Sequence, residues 1–430
     1  MRVREVTAGP LFPDDGPRGA RLQRRAKGIA IEAGAFAALT VLAPLVLALA
    51  AVVDLALWLV RRKPWMAVRL AAYAWWFLFG ELRGIAGLAL IYVATGGPLG
   101  GRSLARRRLV YDLRIHWARS HLAGVKTLFG LTFEIEGLEQ AGPGPVLILI
   151  RHASIIDNTL PDAVIGHAHG LGLRFVIKRE LQMLPTIDVG GRWVPTNFVR
   201  RGSTDTAGEV TRLRRLAHDL GPGEGILIYP EGTRHTDEKL AAAQRVIAER
   251  QPEIAPLAGR LRNVLPPRLG GPLALLDETG GAADIVVFGH VGLDGFELIS
   301  DIWGGGLVGT TVRMRFWRYP AASVPAAEEE RVRWLYDRWQ TLDDWVGTQR
   351  APRSMTGSIS SSRLITKRSP IPCRWPTIAS LSRLSMMLAC RMRTITGPGP
   401  ACSIPSMSKA IPNSTRTPAR WWRAQWMRRS

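Results

Sequence analysis

A chain of 430 residues is long enough for one α/β domain of moderate size with appendages, and 47% hydrophobic residues with 15 Trp point to a membrane association. Of the formal net charge of +22, residues 351–430 hold 14 Lys/Arg and no Asp or Glu, which leaves +8 for the rest; no nucleic-acid module accompanies it, and a basic face toward an anionic membrane explains it more economically. All three cysteines, Cys373, Cys390 and Cys402, lie in that same stretch, so the remainder has neither a disulfide framework nor a Cys-based metal site.

Residues 1–28 form a basic segment with Arg18, Arg21, Arg24, Arg25 and Lys27. An apolar run follows over 33–53, extended by 55–60 after the single Asp54. A bilayer core needs about 20 helical residues, so the run is long enough to span, and it is too long for a secretory signal. The expectation is an uncleaved anchor with Pro44 in mid-span. The aromatic-rich stretch 65–93 carries Arg69, Glu81 and Arg83, each costing about 2.5 to 3.5 kcal/mol at mid-bilayer, so it is expected to be a hairpin partner or an interfacial helix rather than a clean second span. Basic clusters flank the anchor on both sides, and a helical hairpin returning to the same face satisfies both. Residues 29–97 are therefore read as membrane-anchoring helices, with 95–102 (TGGPLGGR) as a linker.

Beyond the linker, Leu109, Leu113 and Trp117 recur every four residues among Arg106, Arg107, Arg108 and Arg114. This predicts an amphipathic basic helix that packs on a sheet or lies on headgroups, core packing being the commoner reason for such a stripe. Residues 132–136 alternate as a strand, while 146–150 (VLILI) are uniformly apolar, as in a strand buried on both faces of a parallel sheet. Further strands are read at 174–178, 225–229 (GILIY), 285–289 and 311–317, the last with Val312, Met314 and Phe316 on one side. A helix over 326–346 with Trp334, Trp339 and Trp345 closes the domain, which thus covers 104–346. The fold class is α/β, a mostly parallel sheet flanked by helices behind an N-terminal membrane helix or hairpin.

Two strand exits carry chemistry. The strand 146–150 runs into His152, with Asp157 five residues on. Ligands in parallel sheets sit just beyond strand C-termini, and a turn over 154–157 would bring Asp157 back to the imidazole Nδ1, leaving Nε2 to accept a proton. The strand 225–229 ends in Pro230, Glu231, Gly232, Thr233 and Arg234. There Gly232 lets backbone N–H groups approach an anion, Thr233 adds a hydroxyl and Arg234 a planar fork that matches phosphate. Each motif alone reads more readily as an ordinary turn; their complementary chemistry makes the pair informative.

R-H-A-S-I-I-D (151–157) followed by Y-P-E-G-T-R (229–234) resembles the glycerolipid acyltransferase family, the 1-acyl-sn-glycerol-3-phosphate acyltransferases. Residues 178–181 through 198–201 resemble the family's intermediate block, in which an arginine contacts the acceptor's phosphate; Arg201 is the best match, and Lys178 is a possible helper. Residues 263–268 (NVLPPR) resemble the proline-containing fourth block. The chain departs from the family pattern at Arg151, where Asn is usual, and at Pro195, where Gly is usual. The resemblance implies the family's fold, His152 and Asp157 as the catalytic pair, and substrate contacts from Lys178, Arg201, Glu231, Gly232, Thr233 and Arg234. It implies no cofactor and no metal: acyl-CoA or acyl carrier protein brings the acyl group as co-substrate, a lysophospholipid accepts it, and the site faces the cytoplasmic side of the cell membrane.

A serine hydrolase would need a nucleophile elbow, and no G-x-S-x-G occurs in the chain. A non-catalytic lipid-binding protein remains the other alternative. Residues 351–430 have 14 Ser, six of the ten Met and scattered Pro, with no sustained period. A headgroup-binding tail and a disordered extension are both conceivable; the abrupt loss of every carboxylate favours a stretch translated from a shifted frame. A stop codon after Gln349 is therefore expected to leave acyl transfer and membrane attachment unchanged, as measured by turnover and fractionation of the truncated protein.

Overall fold

A computed structural model describes residues 2–3, 5–10, 12, 16–100, 103–199 and 206–350. Arg201 and the whole of 351–430 lie outside the described residues, so the readings made of them stay as expectations.

The N-terminal half begins with three helices: α1 (Arg18–Val41), α2 (Ala43–Arg61) and α3 (Ala67–Ala94). The apolar run is thus two helices, broken at Leu42 because Pro44, with no N–H to donate, takes a first-turn position of α2. The stretch expected to be an imperfect span is one continuous helix of 28 residues, and α2 and α3 are both long and apolar enough to cross a membrane. Their polar groups face protein. Asp54 is buried and caps α3, its carboxylate accepting the N–H groups of Met66 (2.9 Å), Ala67 (2.9 Å) and Val68 (2.9 Å). Arg69 donates to the Leu128 carbonyl, and Glu81 accepts from Trp117 Nε1 at 2.9 Å, both on α4 (Leu104–Phe129). Gly80 lets α3 approach so closely that a Cβ there would lie 2.7 Å from the His121 ring. By contrast α2 leaves Leu45, Leu47, Leu49, Val52, Val53, Leu55, Leu59 and Val60 exposed.

Of the arginines read on the basic helix α4, Arg108 is exposed, whereas three others turn into the protein. Arg106 and Arg107 are buried, Arg107 donating to the Thr7 carbonyl at 3.0 Å, while Arg114 pairs with Asp162 at 2.8 Å. One side of α4, with Val110, Tyr111, Ile115, Leu122 and Phe129, is buried, and Leu109 and Leu113 are partly buried beside it.

Seven strands form the sheet: β1 (Thr132–Glu136), β2 (Val146–Ile150), β3 (Gly172–Lys178), β4 (Thr196–Val199), β5 (Glu224–Ile228), β6 (Asp284–Val291) and β7 (Thr311–Tyr319), in the order β1-β7-β6-β2-β5-β3-β4. Every pairing is parallel except β6 with β7. β2 lies at the centre, and its side chains alternate between two cores. Val146, Ile148 and Ile150 join Phe288, Phe316 and the α4 side; Leu147 and Leu149 join Ile226, Ile228 and Trp339 of the last helix, α9 (Glu328–Arg350). Burial on both faces explains the unbroken apolar run. The helices between are α5 (Pro185–Trp193), α6 (Thr206–Ala217), α7 (Asp237–Arg250) and α8 (Gly270–Thr279).

The extreme N-terminus is built into this domain. Thr7 Oγ1 donates to the Asp219 carbonyl at 2.7 Å and lies 2.9 Å from both Glu224 Oε2 and Arg174 Nη2. Arg174 and Glu224, on β3 and β5, are fully buried and paired at 2.7 Å. Arg24 and Arg25 of α1 both reach the buried Asp188 of α5 at 2.9 Å. Breaking a buried pair strands a charge, so Glu224→Ala is expected to lower unfolding free energy by about 3 to 5 kcal/mol, read from denaturant midpoints. A loss under 1 kcal/mol, the range of exposed pairs, would contradict this account.

Candidate active site

Parallel neighbours β2 and β5 end side by side, Leu149 opposite Ile228, which brings the two chemistry-bearing turns onto one edge of the sheet. After Ile150 the chain turns at once into a 3₁₀ helix over Ile156–Thr159. Asp157 thereby folds back: each of its carboxylate oxygens lies 3.2 Å from His152 Nδ1, and Oδ2 also accepts the N–H groups of Ala153 and Ser154, both at 2.8 Å. Burial alone would raise this carboxyl. The hydrogen bond and charge of His152, the nearby His290 and the Ser154 N–H outweigh burial and hold it below the usual aspartate value, hence ionised. The dyad expected from sequence is thus formed, with Nε2 of His152 outside the pair.

The Tyr229 ring packs against the His152 imidazole at 4.4 Å between centroids, and its hydroxyl donates to the Asp157 carbonyl at 3.4 Å. The His235 N–H donates to the His152 carbonyl at 2.9 Å, closing the second turn onto the first.

In that second turn the residues also have partners within the protein. Gly232 is in the left-handed region at φ +68°, and its N–H is spent on the Tyr229 carbonyl at 3.0 Å rather than free for an anion. A Cβ at Gly232 would come within 2.8 Å of Arg268 Nε, so the glycine makes room for that side chain. Arg234 donates to the Glu297 carbonyl, beside a Lys239–Glu297 pair at 2.7 Å, and is at least partly engaged within the protein. Thr233 is half-buried in the same turn. Lys178 ends β3, opposite Val199 of β4, on the far side of β5 from His152.

Glu231 is buried, and neither carboxyl oxygen finds a hydrogen-bond partner of good geometry. Burial pushes this carboxyl well above the usual glutamate value, outweighing the opposing charge of Arg151, so it is held neutral.

Three further residues pack around this site that were given no role from the sequence. Arg151 is fully buried, donating to the His290 carbonyl (2.8 Å) and the Asn263 carbonyl (3.2 Å) and pairing with Asp294. Asp294 in turn pairs with Arg350, so a truncation that spares this network must keep Arg350. His290, fully buried on β6, lies behind Asp157. Arg268 is exposed over Gly232, its own N–H bonded to the Pro230 carbonyl at 2.8 Å, and its side chain makes no hydrogen bond or ion pair among the described residues. The only sequence signals were an arginine in an unusual place and a histidine inside an apolar strand.

The neutral Glu231 makes a sign prediction. A carboxyl whose folded value is raised binds more protons folded than unfolded, so its contribution to stability is present below the unfolded value, near 4.5, and is lost as pH rises. Relative to Glu231→Gln, the wild type is expected to lose up to about 1.4 kcal/mol of unfolding free energy per pH unit above that value. Parallel stability profiles for the two proteins would show that Glu231 ionises freely.

Comparison with known proteins finds acyltransferases. Residues 132–259 match the Acyltransferase family model. The lyso-ornithine lipid O-acyltransferase of Pseudomonas aeruginosa is 33% identical over 154 residues, 34% of this chain and 55% of that protein, so the chain spans about half the length of this curated relative. Among solved structures, the 1-acyl-sn-glycerophosphate acyltransferase of Thermotoga maritima aligns over 66% of this chain and 99% of that one, with a TM-score of 0.42 and 14% identity. Residues 132–259 of this chain are thus an acyltransferase domain.

Proposed function

We propose that the protein moves a fatty acyl group from a thioester, of coenzyme A or acyl carrier protein, to the free hydroxyl of 1-acylglycerol 3-phosphate, giving phosphatidate. The observation that carries the reading is the His152–Asp157 pair, an imidazole whose Nδ1 is held by an ionised carboxylate at a strand C-terminus. With Nδ1–H donated to Asp157, Nε2 is the basic nitrogen. It takes the hydroxyl proton as the oxygen attacks the thioester carbonyl, and Asp157 stabilises the imidazolium. The tetrahedral intermediate collapses, the C–S bond breaks, and the imidazolium returns its proton to the leaving thiolate. No covalent enzyme intermediate is required, because the thioester is already activated.

Lys178, Arg201 and Arg234 are the proposed contacts for the acceptor's phosphate, with Glu231, Gly232 and Thr233 shaping the turn beside the glycerol. A membrane-held acceptor suits helices α2 and α3, whose length, apolarity and exposed leucines fit a bilayer, with the site on the cytoplasmic side. One observation favours a second reading. The Pseudomonas aeruginosa relative acts on lyso-ornithine lipid, which presents a carboxylate and an amine instead of a phosphate, while the acceptor hydroxyl and the chemistry at His152 stay the same.

Purified protein in detergent or vesicles, given an acyl thioester and either acceptor, separates these readings. Thiol release that requires lysophosphatidate supports the proposed acceptor; release that requires only lyso-ornithine lipid replaces it. In either case His152→Ala is expected to abolish transfer with folding intact, and Asp157→Asn to cost roughly 10²- to 10⁴-fold in kcat, the span of acid–base assistance. Near-normal turnover by folded His152→Ala would sink the mechanism.

A further inference from the structure

The most heavily partnered region beyond the dyad lies where β6 passes beside the end of β2. Ile150 of β2 pairs with Phe288 of β6, so His290, two residues further along β6, lies level with the turn that carries the dyad. The ring is fully buried. His290 Nε2 lies 2.9 Å from the Arg151 carbonyl and 3.6 Å from Asp157 Oδ2, on the carboxylate that His152 also approaches. The clamp is reciprocal, because Arg151 Nη1 donates to the His290 carbonyl at 2.8 Å and the Arg151 N–H donates to the Phe288 carbonyl at 3.2 Å.

The tautomer follows from these partners. The Arg151 carbonyl can only accept, so Nε2 carries the proton. Nδ1 has no hydrogen-bond partner, and burial holds the imidazole below its usual value against the pull of Asp157, so the ring is neutral with a single N–H. That N–H is donated to the Arg151 carbonyl, and its nitrogen lies 3.6 Å from Asp157 Oδ2, so the N–H dipole stands beside the carboxylate without hydrogen-bonding to it.

We propose that His290 is a positioning residue for acyl transfer, a second imidazole that fixes Asp157 from behind and moderates how strongly its carboxylate holds the His152 imidazolium. The proposal rests on the assignment of His152 and Asp157 as the catalytic pair, and needs no particular acceptor. An uncompensated ionised carboxylate binds an imidazolium more tightly and delays return of the proton to the leaving thiolate; the N–H dipole held beside it by the Arg151 carbonyl offsets part of that charge. The other charged or titratable groups facing this cluster are Arg151 from the end of β2, Tyr229 and Glu231 from the end of β5, Asp294 from beyond β6, and Asp162 and Arg234 nearby.

The test uses the full-length protein with saturating thioester and acceptor. His290→Gln retains an N–H at the position of Nε2, while His290→Leu removes it at similar volume. The leucine variant is expected to lose about tenfold in kcat, with the acid limb of its kcat/KM profile moved to higher pH; the glutamine variant is expected to stay within about threefold with its limb in place. Because His290 acts through Asp157, the leucine substitution made in Asp157→Asn should cost under about twofold more. A merely structural histidine would lower thermal stability but move neither the pH limb nor the coupling. Equal losses in both backgrounds, or a folded leucine variant with wild-type kcat and pH limb, would overturn the proposal. If His152→Ala itself retains turnover, the dyad assignment has failed instead. Should the leucine variant not fold, the glutamine variant carries the test: a folded His290→Gln whose acid limb has moved as far as the limb of Asp157→Asn overturns the proposal, and one with its limb in place sustains it.

Discussion

A carboxylate with no exposure to water has to be surrounded by donors, and Asp157 meets that demand from two directions. The N–H groups of Ala153 and Ser154 come from its own turn and His152 from the end of β2, while the His290 ring of β6 backs the carboxylate at 3.6 Å. Removing a charge from water costs several kcal/mol, so the turn can close only in the geometry that collects these donors. That geometry depends on the register of β2. A slip of one residue would exchange its two buried faces and carry His152 off the edge it shares with β5, and burial of both faces against different cores is what prevents the slip.

The residue before His152 extends the same logic. Successive side chains beyond a strand end diverge, so Arg151 and His152 go to different surroundings. His152 faces Tyr229 and Asp157, whereas the Arg151 guanidinium enters a cage of two carbonyls and Asp294. The cage is held from the C-terminal side. Asp343 of α9 accepts the N–H groups of Arg262 (2.9 Å) and Val264 (2.9 Å), fixing the Asn263 carbonyl that Arg151 uses, and Trp339 Nε1 donates to the Leu265 carbonyl at 2.9 Å. A charge that would otherwise crowd the imidazole is thus neutralised at a distance from it, and α9 becomes part of the active-site scaffold.

Much of this was legible in the chain because burial on both faces erases alternation. The VLILI run of β2 announces a central strand, and a histidine directly after it announces a strand-end site. The dyad was readable because its partners are five residues apart. What sequence could not give were contacts made across the sheet: His290 sits in an apolar strand with nothing local to mark it, and Arg268 is brought over Gly232 by the segment after α7. The structural demand for Gly232 was hidden for a related reason. A positive φ and a close neighbour both demand glycine, and only the fold reveals that the neighbour is an arginine. The break between α1 and α2 was written in Pro44, whose effect depends on whether a helix begins or continues there.

The N-terminal helices are usually thought of as tethers, yet here their polar residues bind them to the domain. Arg24 and Arg25 converge on buried Asp188, Thr186 donates to the Glu81 carbonyl at 3.3 Å, and Arg69 and Glu81 each hydrogen-bond to α4. A flexible linker would let the catalytic edge tumble relative to a lipid surface, whereas these buried contacts fix its orientation to the exposed apolar face of α2. For an acceptor that keeps its acyl chain in a bilayer, only a narrow depth brings the free hydroxyl to an imidazole. On the proposed reading, the charges within otherwise apolar helices therefore act as brackets that set that depth, which explains why helices so hydrophobic retain Asp54, Arg69 and Glu81 at their protein-facing side.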